Sequence, residues 1–147
     1  MMFLRCLALV FTAVILVPGG AHLFELAGKL GLDRASYFVV QGIYAGWAMF
    51  GVPIVAALVA NIVLFVAERR RDPAAGRWAL LSASLIVLGL IIFFVWVFPA
   101  NQATENWTRQ PQSWESLRRQ WEYGHAANAV LVFAAFLATV RATVNGS

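Results

Sequence analysis

Four long apolar runs leave this chain few folds to choose from. They cover Phe3 to about Phe24, Tyr37 to about Val66, Trp78 to about Phe98 and Ala126 to about Val140. A helix needs about 20 mostly apolar residues to cross a bilayer. Inside hydrocarbon every backbone polar group must be satisfied within the protein, so only helices or closed barrels span it. The runs show no strand-type alternation and no long internal repeat. They predict an all-α fold: a four-transmembrane-helix antiparallel bundle forming one integral membrane domain over 1–147. Its spans are expected at about 3–26, 37–66, 78–98 and 114–142, with a long link from Pro99 to Pro111 between the third and fourth. Ser113 is placed to cap the fourth helix.

Composition agrees. Apolar residues make up 61% of the 147 residues and charged ones only 12%, against about 25% charged in soluble domains. This excludes a disordered chain and a disulfide scaffold, since Cys6 is the single cysteine. An N-terminal signal peptide competes for the first run, with Arg5, the stretch Cys6–Val17, and Gly19 and Ala21 as small residues. Apolar residues continue beyond that site at Leu23, Phe24 and Leu26, which favours a span.

The pI of 10.0 comes with a net charge of only +4, too little to indicate a nucleic-acid partner. With four spans, the termini and the second-to-third connection share one side. That side carries Arg5, Arg69, Arg70, Arg71, Arg77 and Arg141 against Glu68 and Asp72. The other carries Lys29, Arg34, Arg109, Arg118 and Arg119 against Glu25, Asp33, Glu105, Glu115 and Glu122. All of the +4 lies on the first side, which the positive-inside rule places in the cytoplasm. The cluster Arg69–Arg71 is read as a topology signal, with anionic-lipid binding as the alternative. Arginine outnumbers lysine ten to one, as in a high-GC bacterium, so the expected location is a bacterial inner membrane.

Polar residues gather toward the outer ends of all four helices. His22 and Glu25 follow Pro18 on one face of the first. Tyr37, Gln41 and Tyr44 form a stripe in the second run. Asn101, Gln102 and Glu105 follow the third. Trp114, Arg118, Trp121, His125 and Asn128 line one face of the fourth. Such groups are costly at membrane depth unless they face each other or a watery cavity, so a shared outward-opening polar pocket is expected. Both histidines have a carboxylate three residues away, as His22-x-x-Glu25 and Glu122-x-x-His125. Three readings fit. His22, Glu25, Glu122 and His125 could hold a single metal ion, or the two histidines a haem. The histidines could transfer protons, since an unperturbed imidazole titrates near neutrality. An ordinary interfacial hydrogen-bonded pair fits the same spacing.

Trp78, Trp107 and Trp114 are expected as interfacial anchors, and Trp121 as either an anchor or a stacking platform. Gly42-x-x-x-Gly46 is expected to permit close helix contact, within the bundle or in a homo-oligomer. Asn106-Trp107-Thr108 matches the N-glycosylation pattern, which a bacterial source would leave unused.

The stretch Pro99, Ala100, Asn101, Gln102, then Trp114, Leu117, Arg118, Trp121, His125 and Asn128, on a four-span chain, resembles the family of small four-helix membrane proteins grouped with anthrone oxygenases. Most of its members are bacterial and of unknown function. The likeness covers nearly the whole chain in layout. Its motifs are confined to the end of the third helix and the start of the fourth. It departs at Asn128, where the family often has a basic residue. The resemblance implies oxidation of a flat, apolar, anthrone- or quinone-like molecule by molecular oxygen. His125 or His22 would serve as base, Asn101, Gln41 and Arg118 would stabilise the oxyanion, and Gln41, Tyr44, Trp121 and Tyr123 would line the substrate slot. Two other functions remain open: a non-enzymatic accessory or scaffold subunit of a membrane complex, and a His-ligated metal or haem protein.

Overall fold

A computed structural model describes residues 1–144. The described chain is all-helical, without strands. Its four long apolar helices cover Met2–Leu30, Trp47–Glu68, Pro73–Ala103 and Trp114–Val144, each sufficient to cross a membrane. The first packs on the second, the second on the third, the third on the fourth, and the fourth back on the first. This closes a four-helix bundle, the arrangement of a multi-pass membrane protein.

The first span consists of α1 (Met2–Val14) and α2 (Leu16–Leu30), broken at Ile15. Pro18 lacks the N–H that would bond the Val14 carbonyl, which explains a break one turn before it. Next comes α3 (Arg34–Gln41), capped by Asp33, whose carboxylate accepts from the Ser36 N–H at 2.9 Å. The apolar run from Tyr37 to Val66 is therefore not one helix. Two short 3-10 turns, Gly42–Tyr44 and Trp47–Phe50, interrupt it before α4 (Gly51–Glu68) begins. Gly46 sits between them at φ +85°, a conformation only glycine adopts freely. A Cβ on Gly42 or Gly46 would meet nothing within 4 Å, so these two mediate no close helix contact within the bundle.

Asp72 starts α5 (Pro73–Ile92) by accepting from the N–H groups of Ala74 and Ala75, both at 3.1 Å, with Pro73 in the first turn. A wide π-type turn at Phe93–Val97 links it to α6 (Phe98–Ala103). The turn lies beside Pro99, whose missing N–H already interrupts the helical ladder. The helix thus runs through Pro99, and the link to α7 (Trp114–Val144) is only 104–113, shorter than the sequence suggests. Within it Glu105, Asn106 and Trp107 take positive φ of 49°, 56° and 66°. Thr104 steadies this run: its hydroxyl donates to the Ala100 carbonyl at 2.8 Å and accepts from the Trp107 N–H at 3.1 Å. Ser113 stands at the start of α7, its carbonyl accepting from the Leu117 N–H at 3.2 Å.

Alanines dominate the buried seams: Ala8, Ala57, Ala60, Ala79, Ala135, Ala138 and Ala142. Small side chains let helix backbones approach closely, a main source of packing energy where lipid already solvates large apolar groups. Many large ones, such as Phe24, Val52, Val95 and Phe133, are exposed on the outside of the bundle, while Ile15, Leu64 and Ile86 fill its core. Nearer the α4–α5 turn than the histidine end, each span contributes one small polar residue to a buried ladder. Asn61 donates to the Thr12 hydroxyl at 3.1 Å and accepts from the Thr139 hydroxyl at 3.0 Å, and Ser82 meets Thr139 at 2.8 Å. At the end carrying the α4–α5 turn, Arg5 is buried against Glu68 at 2.6 Å. Arg5 is thus neutralised within the fold rather than displayed as a topological charge.

Candidate functional site

At the opposite end, α2 presents His22, Glu25 and Lys29 on one face, because spacings of three and four residues repeat each helical turn. From α7 come Arg118, Trp121, Glu122 and His125. Tyr37 and Gln41 come from α3, and the turns after it supply Tyr44 and Trp47.

The two imidazoles meet. His22 and His125 stack with ring centroids 4.0 Å apart and planes inclined by 23°. Trp121 sets its edge against both, at 5.0 Å and 4.3 Å. Tyr44 at 4.7 Å and Trp47 at 5.5 Å close around His22, and Phe93 at 6.3 Å flanks His125. His22 is buried and His125 half-buried. The Nδ1 of His22 is buried with no hydrogen-bond partner, an uncommon state that marks a site with capacity to spare.

Beside the imidazoles lies a chain of charged and phenolic groups centred on Lys29. Its ammonium pairs with Glu122 at 3.0 Å and lies 3.6 Å from Glu25. It donates to the Tyr44 hydroxyl at 2.8 Å and rests over the Tyr44 and Trp121 rings at 4.8 Å and 4.9 Å. Tyr44 donates onward to the Glu25 carboxylate. On the other side, Tyr37 donates to Glu122 at 3.0 Å and accepts from the Gln41 amide. Glu122 is fully buried, so only this pairing keeps a carboxylate there tolerable. Burial raises both phenols above their ordinary range. The Glu122 carboxylate adds to the effect on Tyr37, and the hydrogen bond to Glu25 adds to it on Tyr44.

Several expected roles change. Asn101 faces the cluster, but its Oδ1 accepts from the indole N–H groups of Trp121 at 2.8 Å and Trp107 at 3.2 Å. Its carbonyl oxygen thus orients Trp121, while the amide N–H groups are the donors an oxyanion would use. Arg118 donates to the Leu32 carbonyl at 2.7 Å, just beyond the end of α2, and stacks on Trp114 at 4.6 Å. These contacts tie α7 to the end of α2, while the Arg118 Nε stays buried without a partner. Tyr123 is exposed and makes no ring contact with the histidines among the described residues. It borders an open apolar groove with Ile91, Val95 and Trp96. Trp107 is buried in the aromatic core rather than anchored at an interface.

The four residues considered for a metal do not converge as ligands. Among the described residues no three His, Cys, Asp or Glu side chains surround one point. Glu122 is engaged by Lys29 and Tyr37, and Glu25 by Tyr44. A haem iron between two imidazoles needs their nitrogens about 4 Å apart on opposite faces of a macrocycle. Rings stacked face to face at 4.0 Å leave no room for one, so this donor set does not fit haem.

Lys29 and Trp47 are central here and were not singled out from the sequence. The signal existed for Lys29: it lies seven residues after His22 and four after Glu25, on their face. Comparison with protein-family models, with curated proteins and with solved structures yields no match.

Proposed function

We propose that this is an inner-membrane protein whose outer-end histidine pair binds a flat, apolar, anthrone- or quinone-like molecule and promotes its oxidation by molecular oxygen. The observation that carries the reading is the contact between the His22 and His125 imidazoles inside an aromatic cage. A flat ligand stacks on the outside of the pair, not between its rings, which leave no room at 4.0 Å, and imidazole suits proton transfer near neutrality. His125, the more exposed of the two, takes a proton from the activated methylene of the substrate. The resulting enolate is stabilised by the positive charge of Lys29 together with the Asn101 amide N–H groups, a role the resemblance gives to Asn101, Gln41 and Arg118. Oxygen adds to the carbanion carbon and the proton returns, forming a hydroperoxide. Loss of water from it leaves the ketone, so one anthrone and one O2 give one anthraquinone and one water.

The basic end carrying the α4–α5 turn belongs in the cytoplasm. Arg69, Arg70, Arg71, Arg77 and Arg141 are all exposed there, whereas at the other end Lys29 and Arg118 are buried and the exposed Arg109 and Arg119 lie beside carboxylates, which supports the positive-inside assignment. Both termini are then cytoplasmic and the histidine site faces outward.

The test uses the purified protein in detergent with anthrone in air-saturated buffer, following anthraquinone absorbance. His125→Ala should lower the rate by at least about 100-fold, the usual worth of a positioned base, while the helical circular dichroism is unchanged. A wild-type protein that leaves anthrone at its background oxidation rate would remove the reaction assigned here. An undiminished rate in both His125→Ala and His22→Ala would remove the residues.

A further inference from the structure

The end of the bundle away from the histidines carries a charge pattern that the site does not use. Arg69, Arg70 and Arg71 follow α4, Arg77 lies in the early turns of α5 and Arg141 in the last turn of α7, all exposed. A Cβ on Gly76 would meet the Arg69 backbone at 3.0 Å, so the start of α5 folds tightly against the arginine turn. Arg141 lies over the Trp78 ring at 5.8 Å. Two acids of this end could neutralise the cluster, and both are built into the fold. Glu68 is buried on Arg5 at 2.6 Å, and Asp72 caps α5. Among the described residues none of the five exposed arginines pairs with a carboxylate. At the histidine end the arrangement is the reverse. Arg109 lies 3.8 Å from Glu105 and Arg119 3.9 Å from Glu115, while Arg34 is spent on the carbonyls of Gln110 and Pro111.

We propose that this unpaired arginine end is a binding surface for the phosphate headgroups of anionic phospholipids. The guanidinium fork matches a phosphate diester. The exposed Phe3, Val66, Leu80, Leu81 and Leu137 on the adjoining helices need acyl chains around them, so a lipid satisfies both surfaces where a free phosphate satisfies one. A leaflet containing anionic lipid attracts such residues, each basic side chain near its surface adding about fivefold to binding.

The full-length protein is reconstituted with equimolar phosphatidylcholine and phosphatidylglycerol, extracted into mild detergent, and its retained lipid measured by native mass spectrometry. Phosphatidylglycerol should be retained in preference. Arg69→Gln/Arg70→Gln/Arg71→Gln should cut that preference by about fivefold per residue removed, and Arg109→Gln/Arg119→Gln should leave it unchanged. On the unsubstituted protein, raising salt from about 0.05 M to about 0.5 M should erode the preference by screening. Equal retention of the two lipids, or equal loss in the two sets of variants, would overturn the proposal. So would displacement of phosphatidylglycerol by inorganic phosphate at equal concentration.

Discussion

Two buried polar networks divide this bundle, and they are built differently. The uncharged ladder takes one small residue from each span, and its members satisfy one another and the helix carbonyls: Thr12 also donates to Ala8 and Asn61 to Ala57, and the single Thr139 proton is shared between Asn61 and the Ala135 carbonyl. The cluster at the histidine end is larger, charged and incompletely satisfied. Lys29 and Glu122 are buried there, and the Nδ1 of His22, Oε1 of Gln41 and Nε of Arg118 lack partners. A saturated network fixes helix register and has nothing left to offer a ligand. An unsaturated one, crowded with groups that can hold or release protons, is where chemistry is expected. The fold therefore separates what aligns the helices from what can act.

The largest effect on stability should come from the Lys29–Glu122 pair. Lys29→Met leaves the Glu122 carboxylate buried without its cation, and removing one partner of a buried pair costs about 3–5 kcal/mol. The double variant Lys29→Met/Glu122→Leu removes both charges and should recover most of that loss. Thermal unfolding in detergent reads both. A double variant as unstable as the single one would mean the lysine acts through packing on Tyr44 and Trp121 instead.

Next comes the ladder. Asn61→Leu strips Thr12 and Thr139 of their amide partner and should cost about 1–2 kcal/mol, near the upper range for interhelical hydrogen bonds in membranes. Anthrone turnover should stay at the wild-type rate. A large fall in turnover with folding intact would break the division between aligning and acting networks.

How much of this contrast the sequence discloses depends on the kind of signal. The apolar runs disclose the four spans, because hydrocarbon thickness imposes their length. The stripe Trp114, Arg118, Trp121 and His125 discloses one wall of the cluster, because helical spacing is local. The pairing of Lys29 with Glu122 joins the first span to the last, and no local pattern carries it. In sequence Lys29 reads as an ordinary cation near a helix end. Asn61 leaves a fainter mark, as the lone amide of α4. The break at Gly46 is hidden for a related reason: Gly42-x-x-x-Gly46 suits a close helix crossing as well as a turn, and only the φ of +85° separates them.

A pH experiment sharpens the comparison further. Tyr37 and Tyr44 lie beside carboxylates in the charged cluster, and their phenols titrate above the usual range. Phenolate absorbance from these two should emerge only on unfolding, not at the ordinary tyrosine value of about 10. Because their folded values are raised, their contribution to stability is complete below pH of about 10. It is lost as pH climbs from there toward the raised folded values. Tyr44→Phe should blunt this alkaline loss while keeping its ring against His22. A Tyr44→Phe variant with the same alkaline unfolding profile as wild type would place the loss elsewhere.

The smallest effect belongs to the exposed charges around the cluster. Arg119 and Glu115 lie 3.9 Å apart on one face of α7, each more than half exposed. Solvent and salt screen such a pair, and ordering two long side chains offsets much of the attraction. Arg119→Gln should therefore shift stability by less than about 0.5 kcal/mol, several-fold below the change for Lys29→Met, although both remove one cation from a carboxylate on the same helix. The contrast isolates burial as the variable: Glu122 has no access to water once Lys29 is gone, whereas Glu115 is already in contact with it. If the two variants cost the same, Glu122 is reached by water in solution, and the histidine end is more open than its packing indicates.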